Sequence, residues 1–438
     1  MASSGRLEHY CRIIEHFNDL EPTGKVVKVV GLTIESNGPA ANIGDVCVIS
    51  SHDGTPVYTE VVGFHDNSLV LLPLTDMTGV GPGCLVSSLG HPLRVGVGPK
   101  LLGRVLDAFG NPIDGKGPIE IEEYRSLHNT SVQPLRRQMI RQPLSVGVRA
   151  IDGLLTCGKG QRLGIFAGSG VGKSTLLGMM ARYTSAEVNV IGLIGERGRE
   201  VREFIETDLG PEGLARSVVV VATSDQLAMI RLKGALTATT IAEYFRDCGK
   251  DVLFMMDSVT RFAFAQREVG LASGEPPATR GYPPSVFALL PKLMERTGPG
   301  DNGTITAFYT VLVDGDDFNE PIADAARSIL DGHIVLSRKL AHAQHYPAID
   351  ILASVSRVMP AVIDERHNQL AAKLKSLMAT YREAEDLINI GAYVSGANPR
   401  IDEAIRYIDR INDYLQQPAD QGSTWDEALE LLERIMSQ

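Results

Sequence analysis

The residue types best suited to chemistry in this chain lie together at 167–175, which read Ala-Gly-Ser-Gly-Val-Gly-Lys-Ser-Thr. An apolar run at 162–166 precedes them, and a helix-compatible segment follows. A strand, a glycine-rich loop and a helix in that order surround phosphate oxygens with backbone N–H groups and a helix N-terminus. Lys173 would reach the β- and γ-phosphates, and the Ser174 hydroxyl would ligate Mg²⁺. The strict pattern opens with glycine where this chain has Ala167, which the loop accepts if its φ is negative.

The sequence therefore predicts that the protein binds a nucleoside triphosphate with Mg²⁺. The predicted nucleotide-binding residues of the loop are Gly168, Ser169, Gly170, Val171, Gly172, Lys173, Ser174 and Thr175.

Two carboxylates follow predicted apolar strands. The strand at 252–256 leads into Asp257, which would lie beside the glycine-rich loop and hold Mg²⁺ or its waters. The strand at 188–194 is followed by Glu196 and Arg197. Hydrolysis needs a group that polarises water in line with the γ-phosphate, and Glu196 is the candidate, with Arg197 binding a phosphate or holding Glu196. The alternatives are a helix cap at Asp257 and an exposed charged turn at Glu196.

A site of this kind also needs a cation at the transition state, which a neighbouring subunit often supplies. Arg261 and Arg357 are both possible, and position in the sequence does not choose between them. Tyr346, which precedes a proline, could stack on a base or simply pack.

Composition narrows the class of protein. The chain has 438 residues, a net charge of −11 and 44% hydrophobic residues, as expected of a globular protein of several domains. The acidic balance argues against a broad basic surface for nucleic acid. Five widely spaced cysteines fit neither a disulfide framework nor a zinc site, which favours the reducing cytosol. The first residues lack the basic-then-apolar pattern expected of a signal peptide, and no apolar run approaches the length of a membrane span.

Four regions follow from the pattern along the chain. Between 24 and 90, short β-rich runs separated by turn residues predict a small β-barrel. From 91 to 345, strands alternate with helices, as in a parallel sheet covered on both faces. Region 346–438 is helical in pattern. Region 1–23 is predicted to be an amphipathic segment that docks a partner or packs on its own domain, from the apolar residues Leu7, Tyr10, Ile13, Ile14 and Phe17.

Several long motifs, taken together, resemble the rotary-type ATPases. They are residues 167–175, 195–201, 254–261 and 347–356, the last of which is similar to the signature of the α and β subunits of ATP synthase. Within that superfamily the chain most resembles the flagellum-specific type III export ATPases, on residues 195–201, 274–287 and 331–338. The resemblance runs from about residue 24 to the C-terminus. It implies an α/β fold, with a RecA-like P-loop NTPase core, an N-terminal β-barrel and a C-terminal helical domain.

The resemblance also implies a role for each matching residue. These roles are Lys173 and Ser174 at the phosphates and Mg²⁺, Glu196 as the catalytic carboxylate with Arg197 nearby, Asp257 at the metal, Tyr346 against the adenine, and Arg357 as the arginine finger that reaches the next subunit's nucleotide.

For the assembly, the resemblance implies a cytoplasmic homohexamer that uses ATP and Mg²⁺ at the base of an inner-membrane export apparatus. The implied partners are a stator-like regulatory protein on the N-terminal segment, a coiled-coil stalk protein in the ring, export chaperones and substrates, and a membrane export gate, with no nucleic acid. Hydrolysis would release or unfold export substrates and chaperones during flagellar assembly.

Four alternatives stay open. The nearest is the ATPase of a virulence injectisome, although residues 276–282 and 315–321 favour the flagellar branch. A catalytic subunit of ATP synthase would carry an acidic lever in the region that here reads 381–400. A ring-shaped RNA translocase needs basic residues and aromatics that 24–90 lacks. A non-catalytic nucleotide-binding scaffold is disfavoured by the intact Lys173 and Glu196.

Overall fold

The computed structural model describes residues 22–313 and 317–437. The predicted amphipathic segment at 1–23 lies almost wholly outside the described residues. The described residues divide into two compact units, one formed by 22–93 with 272–274, and the other by Arg94–Leu271 with 275–313 and 317–437. No helix within the described ranges combines the length and the apolar character needed to cross a membrane.

The first unit is a closed antiparallel barrel of six strands in the order β1-β2-β5-β4-β3-β6, which confirms the predicted barrel. Alternate residues point inward, so Ile34, Ile49, Leu71 and Val86 are fully buried in the barrel core. The strands are β1 (Gly24–Val30), β2 (Thr33–Ser36), β3 (Asp45–Ser50), β4 (Pro56–His65), β5 (Ser68–Pro73) and β6 (Leu85–Pro92).

Strand β2 falls outside the β-rich runs that the sequence predicts for this region, which are 26–30, 46–50, 57–62, 69–72 and 84–88. It has only four residues, and two of them, Thr33 and Glu35, face partly outward, so its apolar signal is weak. The barrel closes through β2 because it pairs with both β1 and β5.

The second unit is built on a nine-stranded sheet with the order β19-β18-β12-β17-β15-β13-β14-β8 and the short β16 paired to β17. Two further small sheets join β7 to β9 and β10 to β11. The strands of this unit are β7 (Arg94–Val97), β8 (Arg104–Leu106), β9 (Glu123–Ser126), β10 (Pro143–Leu144), β11 (Cys157–Gly158), β12 (Arg162–Ala167), β13 (Val188–Ile194), β14 (Ser217–Ala222), β15 (Asp251–Asp257), β16 (Gly298–Pro299), β17 (Thr304–Leu312), β18 (Gly332–Leu336) and β19 (Ile349–Ser356).

Within the sheet, β12, β13, β14, β15, β17, β18 and β8 run parallel. Every residue of β13 and β14 is buried, as expected where helices cover both faces of a sheet. The helices are α1 (Arg149–Leu154), α2 (Lys173–Tyr183), α3 (Gly198–Glu203), α4 (Gly210–Ala215), α5 (Ala228–Asp247), α6 (Val259–Ala272), α7 (Pro284–Met294), α8 (Pro321–Ile329), α9 (Arg338–His342), α10 (Met359–Val362), α11 (Glu365–Asn389), α12 (Pro399–Leu415) and α13 (Trp425–Ser437).

The sheet extends past residue 345, where the sequence pattern placed the start of the helical region. Strand β19 lies antiparallel to β18 at the edge of the sheet, and its residues alternate between buried and exposed. Because such an edge strand is covered on one face only, its pattern lacks the continuous apolar run of the central strands. The helical region begins at α10, after β19.

A buried ion pair ties the central helix α5 to the segment after α7. The Arg296 guanidinium donates from Nε and Nη2 to the two carboxylate oxygens of Glu243, each at 2.8 Å. Arg296 also donates to Leu127 O and Thr240 Oγ1, and the two side chains of the pair are only 4% and 1% exposed. Burying two charges costs desolvation energy, which this set of hydrogen bonds offsets only while both partners are present.

We expect Arg296→Leu to lower the free energy of unfolding by about 3–5 kcal/mol, because it leaves the Glu243 carboxylate buried without its partner. Urea unfolding followed by the fluorescence of Trp425, the single tryptophan, measures the second unit directly. The control is Lys250→Ala, which removes the exposed ion pair of Lys250 with Glu187. If both substitutions shift the unfolding midpoint equally, the buried pair has no special weight.

Candidate functional site

The glycine-rich loop joins the end of β12 to the start of α2. Ala167 is the last residue of the strand, where a side chain carries no backbone cost, so the departure from the strict glycine pattern is structurally neutral. Gly172 precedes the helix with φ +83°, and a Cβ there would come within 3.2 Å of the Tyr346 ring. The helix begins at Lys173, so the free N–H groups of its first turn face the loop, an arrangement that suits an anion.

Lys173 forms the centre of the site. Its ammonium lies 2.5 Å from Asp257 Oδ1 and 3.3 Å from Glu196 Oε1. The side chains of Lys173 and Glu196 are each 13% exposed, and that of Asp257 is 5% exposed. The structure therefore brings together three of the residues that the sequence singled out.

The order of the strands explains why these side chains meet. β13 and β15 are parallel neighbours, with Leu193 opposite Asp257, so the residues after β13 lie beside the end of β15. Gly195 turns the chain there with φ +75°, and a Cβ at this position would come within 2.6 Å of Arg261 Cβ. Both carboxylates therefore lie at the carboxyl ends of the parallel strands, which is also where the glycine-rich loop lies.

Thr310 is a residue of the site that the sequence analysis missed. It lies on β17, between β12 and β15, and its hydroxyl donates to Asp257 Oδ1 at 2.6 Å and to Met256 O at 3.3 Å. Among the described residues, both hydrogen bonds to the Asp257 carboxylate are accepted by Oδ1. Only the strand order reveals Thr310, because 53 residues separate it from Asp257.

Burial and charge set the protonation of this cluster. Burial raises the pKa of Glu196 to about 7, and the nearby charge of Asp257 adds to this, while Lys173 opposes it. Burial by itself would lower the pKa of the Lys173 ammonium, but Asp257 and Glu196 together raise it above its ordinary value. Lys173 therefore stays charged, and Glu196 exchanges its proton near neutral pH.

A cavity of about 940 Å³ opens over the loop. That volume lies within the range of ligand pockets for molecules of nucleotide size. The predicted site residues that line it are Gly168, Ser169, Gly170, Gly172, Lys173, Ser174, Thr175, Glu196, Arg197 and Tyr346. Val171 is buried beneath the loop, and Asp257 lies below the cavity, in contact with Lys173.

Arg197 lies at the exposed rim of this cavity. Its side chain is 73% exposed and pairs with Glu200 at 3.1 Å. The Glu200 side chain is in turn close to that of Glu196, and this contact further raises the pKa of Glu196. Arg197 is thus connected to Glu196 through Glu200.

Tyr346 lines the opposite wall together with residues from the C-terminal helical region. Gln417 and Ala419 follow α12 and line the same wall. The Gln417 N–H donates to Tyr346 O at 2.9 Å, and the Gln417 side chain is held by Arg149 N and Gly147 O. No local motif marks Gln417, so the sequence analysis missed it.

The two arginines left open by the sequence lie at opposite ends of the parallel strands. Arg261 lines the cavity, and its Nε is buried with no partner among the described residues. Arg357 follows β19, and its N–H donates to Asp331 O, while Asp331 N–H donates to Arg162 O at the first residue of β12. Arg357 is therefore level with the start of β12, whereas the glycine-rich loop follows the end of that strand.

The donor set of the cavity fits a magnesium nucleotide. The N-terminus of α2 and Lys173 supply positive charge for phosphates, and the oxygens of Ser174 and Asp257 are the ligand type that Mg²⁺ prefers. The described residues hold no group of three or more histidine, cysteine or acidic side chains placed to bind a metal. Mg²⁺ commonly binds through one or two protein oxygens together with phosphates and waters, so two such oxygens are enough to hold it.

Comparison with known proteins assigns the chain to a family. Residues 147–356 match the nucleotide-binding domain of the ATP synthase alpha/beta family, and residues 26–90 match its beta-barrel domain. Residues 363–434 match the T3SS EscN ATPase C-terminal domain.

Individual relatives resemble the chain over nearly its whole length. The flagellum-specific ATP synthase of Bacillus subtilis is 55% identical, with 96% of each chain covered. The type 3 secretion system ATPase of Xanthomonas euvesicatoria is 54% identical, with 94% of this chain and 93% of the relative covered.

Solved structures agree with these sequence matches. The assembled ATPase EscN from the type III secretion system of enteropathogenic E. coli has a TM-score of 0.89 at 49% identity, covering 94% of this chain and 99% of EscN. EscN in complex with its central stalk EscO gives a TM-score of 0.87 over the same shares of the two chains. The protein belongs to the ATP synthase alpha/beta family, within the group formed by the flagellum-specific ATP synthases and the type III secretion ATPases.

Proposed function

We propose that this ATPase energises protein export in flagellar assembly, releasing or unfolding export substrates and their chaperones. The observation that carries the proposal is the Lys173 ammonium between Asp257 and Glu196 at the base of a nucleotide-sized cavity. Relatives known as flagellum-specific ATP synthases indicate that this chemistry serves flagellar assembly.

In this proposal the loop residues 168–175 hold the phosphates and Tyr346 stacks on the adenine. Ser174 and Asp257 would hold Mg²⁺, which neutralises charge on the β- and γ-phosphates when it is bound. Lys173 turns from the carboxylates toward the phosphates, because phosphate oxygens offer it a stronger negative charge.

Glu196 orients the attacking water and accepts its proton. A carboxyl group with a pKa near 7 suits this task, because about half of such groups are ionised at neutral pH and the carboxylate is basic enough to take a proton. Arg197 acts on Glu196 through Glu200, to which it is paired.

Arg357 supplies the transition-state cation to a neighbouring subunit. The six residues of β12 span roughly 20 Å, and this length separates Arg357 from its own loop. One arginine side chain does not cover that distance, so a catalytic Arg357 must serve another copy. The glycine-rich loop of one subunit would then face one neighbour and its Arg357 would face the other, as in a head-to-tail ring. We take this ring to be a homohexamer.

The remaining partners extend this assembly. EscN is known as an assembled ATPase and in complex with a central stalk, which supports a coiled-coil stalk protein in the ring formed by this chain. We further propose a cytoplasmic location, peripheral to the inner membrane at an export gate, and a stator-like regulator bound to residues 1–23.

The ATPase of a virulence injectisome is the second candidate, because the Xanthomonas relative is nearly as similar as the Bacillus one. The two machines share the fold and the chemistry. Only the partners distinguish them.

The gene is expected to restore swimming to a Bacillus subtilis strain that lacks its own flagellum-specific ATP synthase, which is 55% identical to this chain. Glu196→Gln in the same plasmid should leave the cells non-motile, with hook and filament proteins retained inside. Restoration of injectisome secretion in a matching mutant, without any motility, would assign the protein to the second machine.

The value of kcat/KM for ATP is expected to fall as the pH drops below about 7, because the raised pKa means that Glu196 takes up a proton there. Glu196→Gln should lower kcat by about 10²–10⁴-fold and abolish this acid limb. Glu206→Gln, in an exposed ion pair with Arg202, is the control and should keep both. An acid limb that persists in Glu196→Gln would assign it to another group.

Glu196→Gln and Arg357→Ala are each expected to be nearly inactive, yet a mixture of the two should hydrolyse ATP. In a random ring, one interface in four joins an intact Glu196 to an intact Arg357, so an equal mixture should reach about a quarter of wild-type activity. Specific activity should also rise with protein concentration. A mixture as inactive as its components contradicts the contribution of Arg357 in trans.

A further inference from the structure

A buried polar cluster lies directly beneath Arg357, and the mechanism above does not use it. We propose that its central residue, Gln161, is a positioning residue that fixes the backbone carrying Arg357. The inference rests on the proposed role of Arg357 as an arginine finger, and it adds a residue that the finger depends on.

Gln161 is fully buried, and its amide contacts the segments on both sides of the finger. Its Nε2 donates to Ser356 Oγ at 3.0 Å and to Asp331 O at 3.3 Å. Ser356 immediately precedes Arg357, and Asp331 O also accepts the Arg357 N–H at 3.1 Å. One amide group therefore holds the residue before the finger and the carbonyl that receives the finger's own N–H.

Both partners of Gln161 are themselves anchored. The Ser356 hydroxyl donates to Thr156 O at 2.8 Å. The Asp331 carboxylate accepts from the Arg162 N–H at 3.0 Å and from Arg162 Nε at 3.2 Å. Gln161 Oε1 accepts from Gly158 N–H at 2.9 Å, which fixes the amide itself. The cluster is a closed network, and its members have little freedom to shift singly.

The Arg357 side chain is held by fewer contacts than its backbone. It is exposed, and within the described residues its guanidinium makes one hydrogen bond, from Nη1 to Leu330 O at 3.4 Å. A residue that must reach a site on another molecule needs a fixed backbone and a side chain that few contacts hold in place. The backbone is ordered during folding, so less freedom is lost when the finger engages.

The competing explanation is that Gln161 only supports its own glycine-rich loop, because the next residue begins β12. The two roles predict opposite behaviour in mixed rings. A defect in the finger harms the neighbour's site, whereas a defect in the loop harms the subunit's own site.

The test uses Gln161→Met, which keeps the length of the side chain and removes its hydrogen bonds. For the pure variant we expect kcat to fall by up to about 10²-fold, because a small misplacement of a catalytic group has an effect of that size. The apparent KM for ATP and the affinity for a fluorescent ATP analogue should change little.

Mixed rings then assign the defect. Gln161→Met mixed with Glu196→Gln should recover activity to the level of the Arg357→Ala and Glu196→Gln mixture, because the second subunit supplies intact fingers. Gln161→Met mixed with Arg357→Ala should show no recovery, because both subunits lack a working finger. The reverse pattern, or a wild-type kcat in the pure variant, overturns the proposal.

Two further variants secure the result. Ser356→Ala removes the same hydrogen bond from the other side, so it should fall in the same class as Gln161→Met and replaces it if that protein does not fold. Asn189→Leu is the matched control, because Asn189 is equally buried on β13 and donates to Ala181 O and Ser217 Oγ, away from the finger. It should lower thermal stability without entering the finger class.

The mixture of Arg357→Ala and Glu196→Gln separates the failure of this inference from the failure of the proposed function. If that mixture recovers and Gln161→Met behaves as a loop defect, the trans site stands and the positioning role is wrong. If that mixture does not recover, the role of Arg357 in trans is wrong, and so is the positioning role of Gln161 that rests on it.

Discussion

The structure of the site depends on an imbalance of buried charge. One ammonium, that of Lys173, lies between the two carboxylates of Asp257 and Glu196, so the cluster carries more negative than positive charge. Burial, to which the charge of Asp257 adds, raises the pKa of Glu196 to about 7. Phosphates would add negative charge to this place, which is why the proposed mechanism needs Mg²⁺ with the nucleotide and a further cation from outside the subunit.

The parallel sheet determines where each charge lies. The glycine-rich loop follows β12, Glu196 follows β13 and Asp257 ends β15. These residues meet at the carboxyl ends of the strands because of the strand order alone. Because β19 is antiparallel to β18, it ends beside the start of β18, and Arg357 therefore lies at the amino ends of the parallel strands. Gln161 and Arg162 lie at the start of β12, so the segment that holds the Arg357 backbone is at one end of this strand and the glycine-rich loop is at the other.

How far the site could be predicted follows from how local each signal is. The loop at 167–175 and the carboxylates after apolar strands are marked by neighbours in sequence, and the structure brings Lys173, Glu196 and Asp257 together as expected. Thr310 and Gln417 have no such mark, because strand order and a distant loop bring them to the site. Strand β2 was missed for a related reason, since partial exposure weakens the apolar pattern on which strand prediction depends.

The separation of Glu196 and Arg357 within one chain has a consequence for how activity is controlled. In the proposed mechanism a single subunit holds a complete nucleotide pocket but lacks the cation that completes the transition state, although it carries that cation on its far edge. Identical copies in a closed ring satisfy every site, so no second type of subunit is needed. An unassembled subunit can bind ATP and hydrolyse it only slowly, because an arginine finger contributes about 10³–10⁵ to the rate. In this mechanism fast hydrolysis is therefore confined to the assembled ring, the form in which a central stalk and export substrates could make use of it.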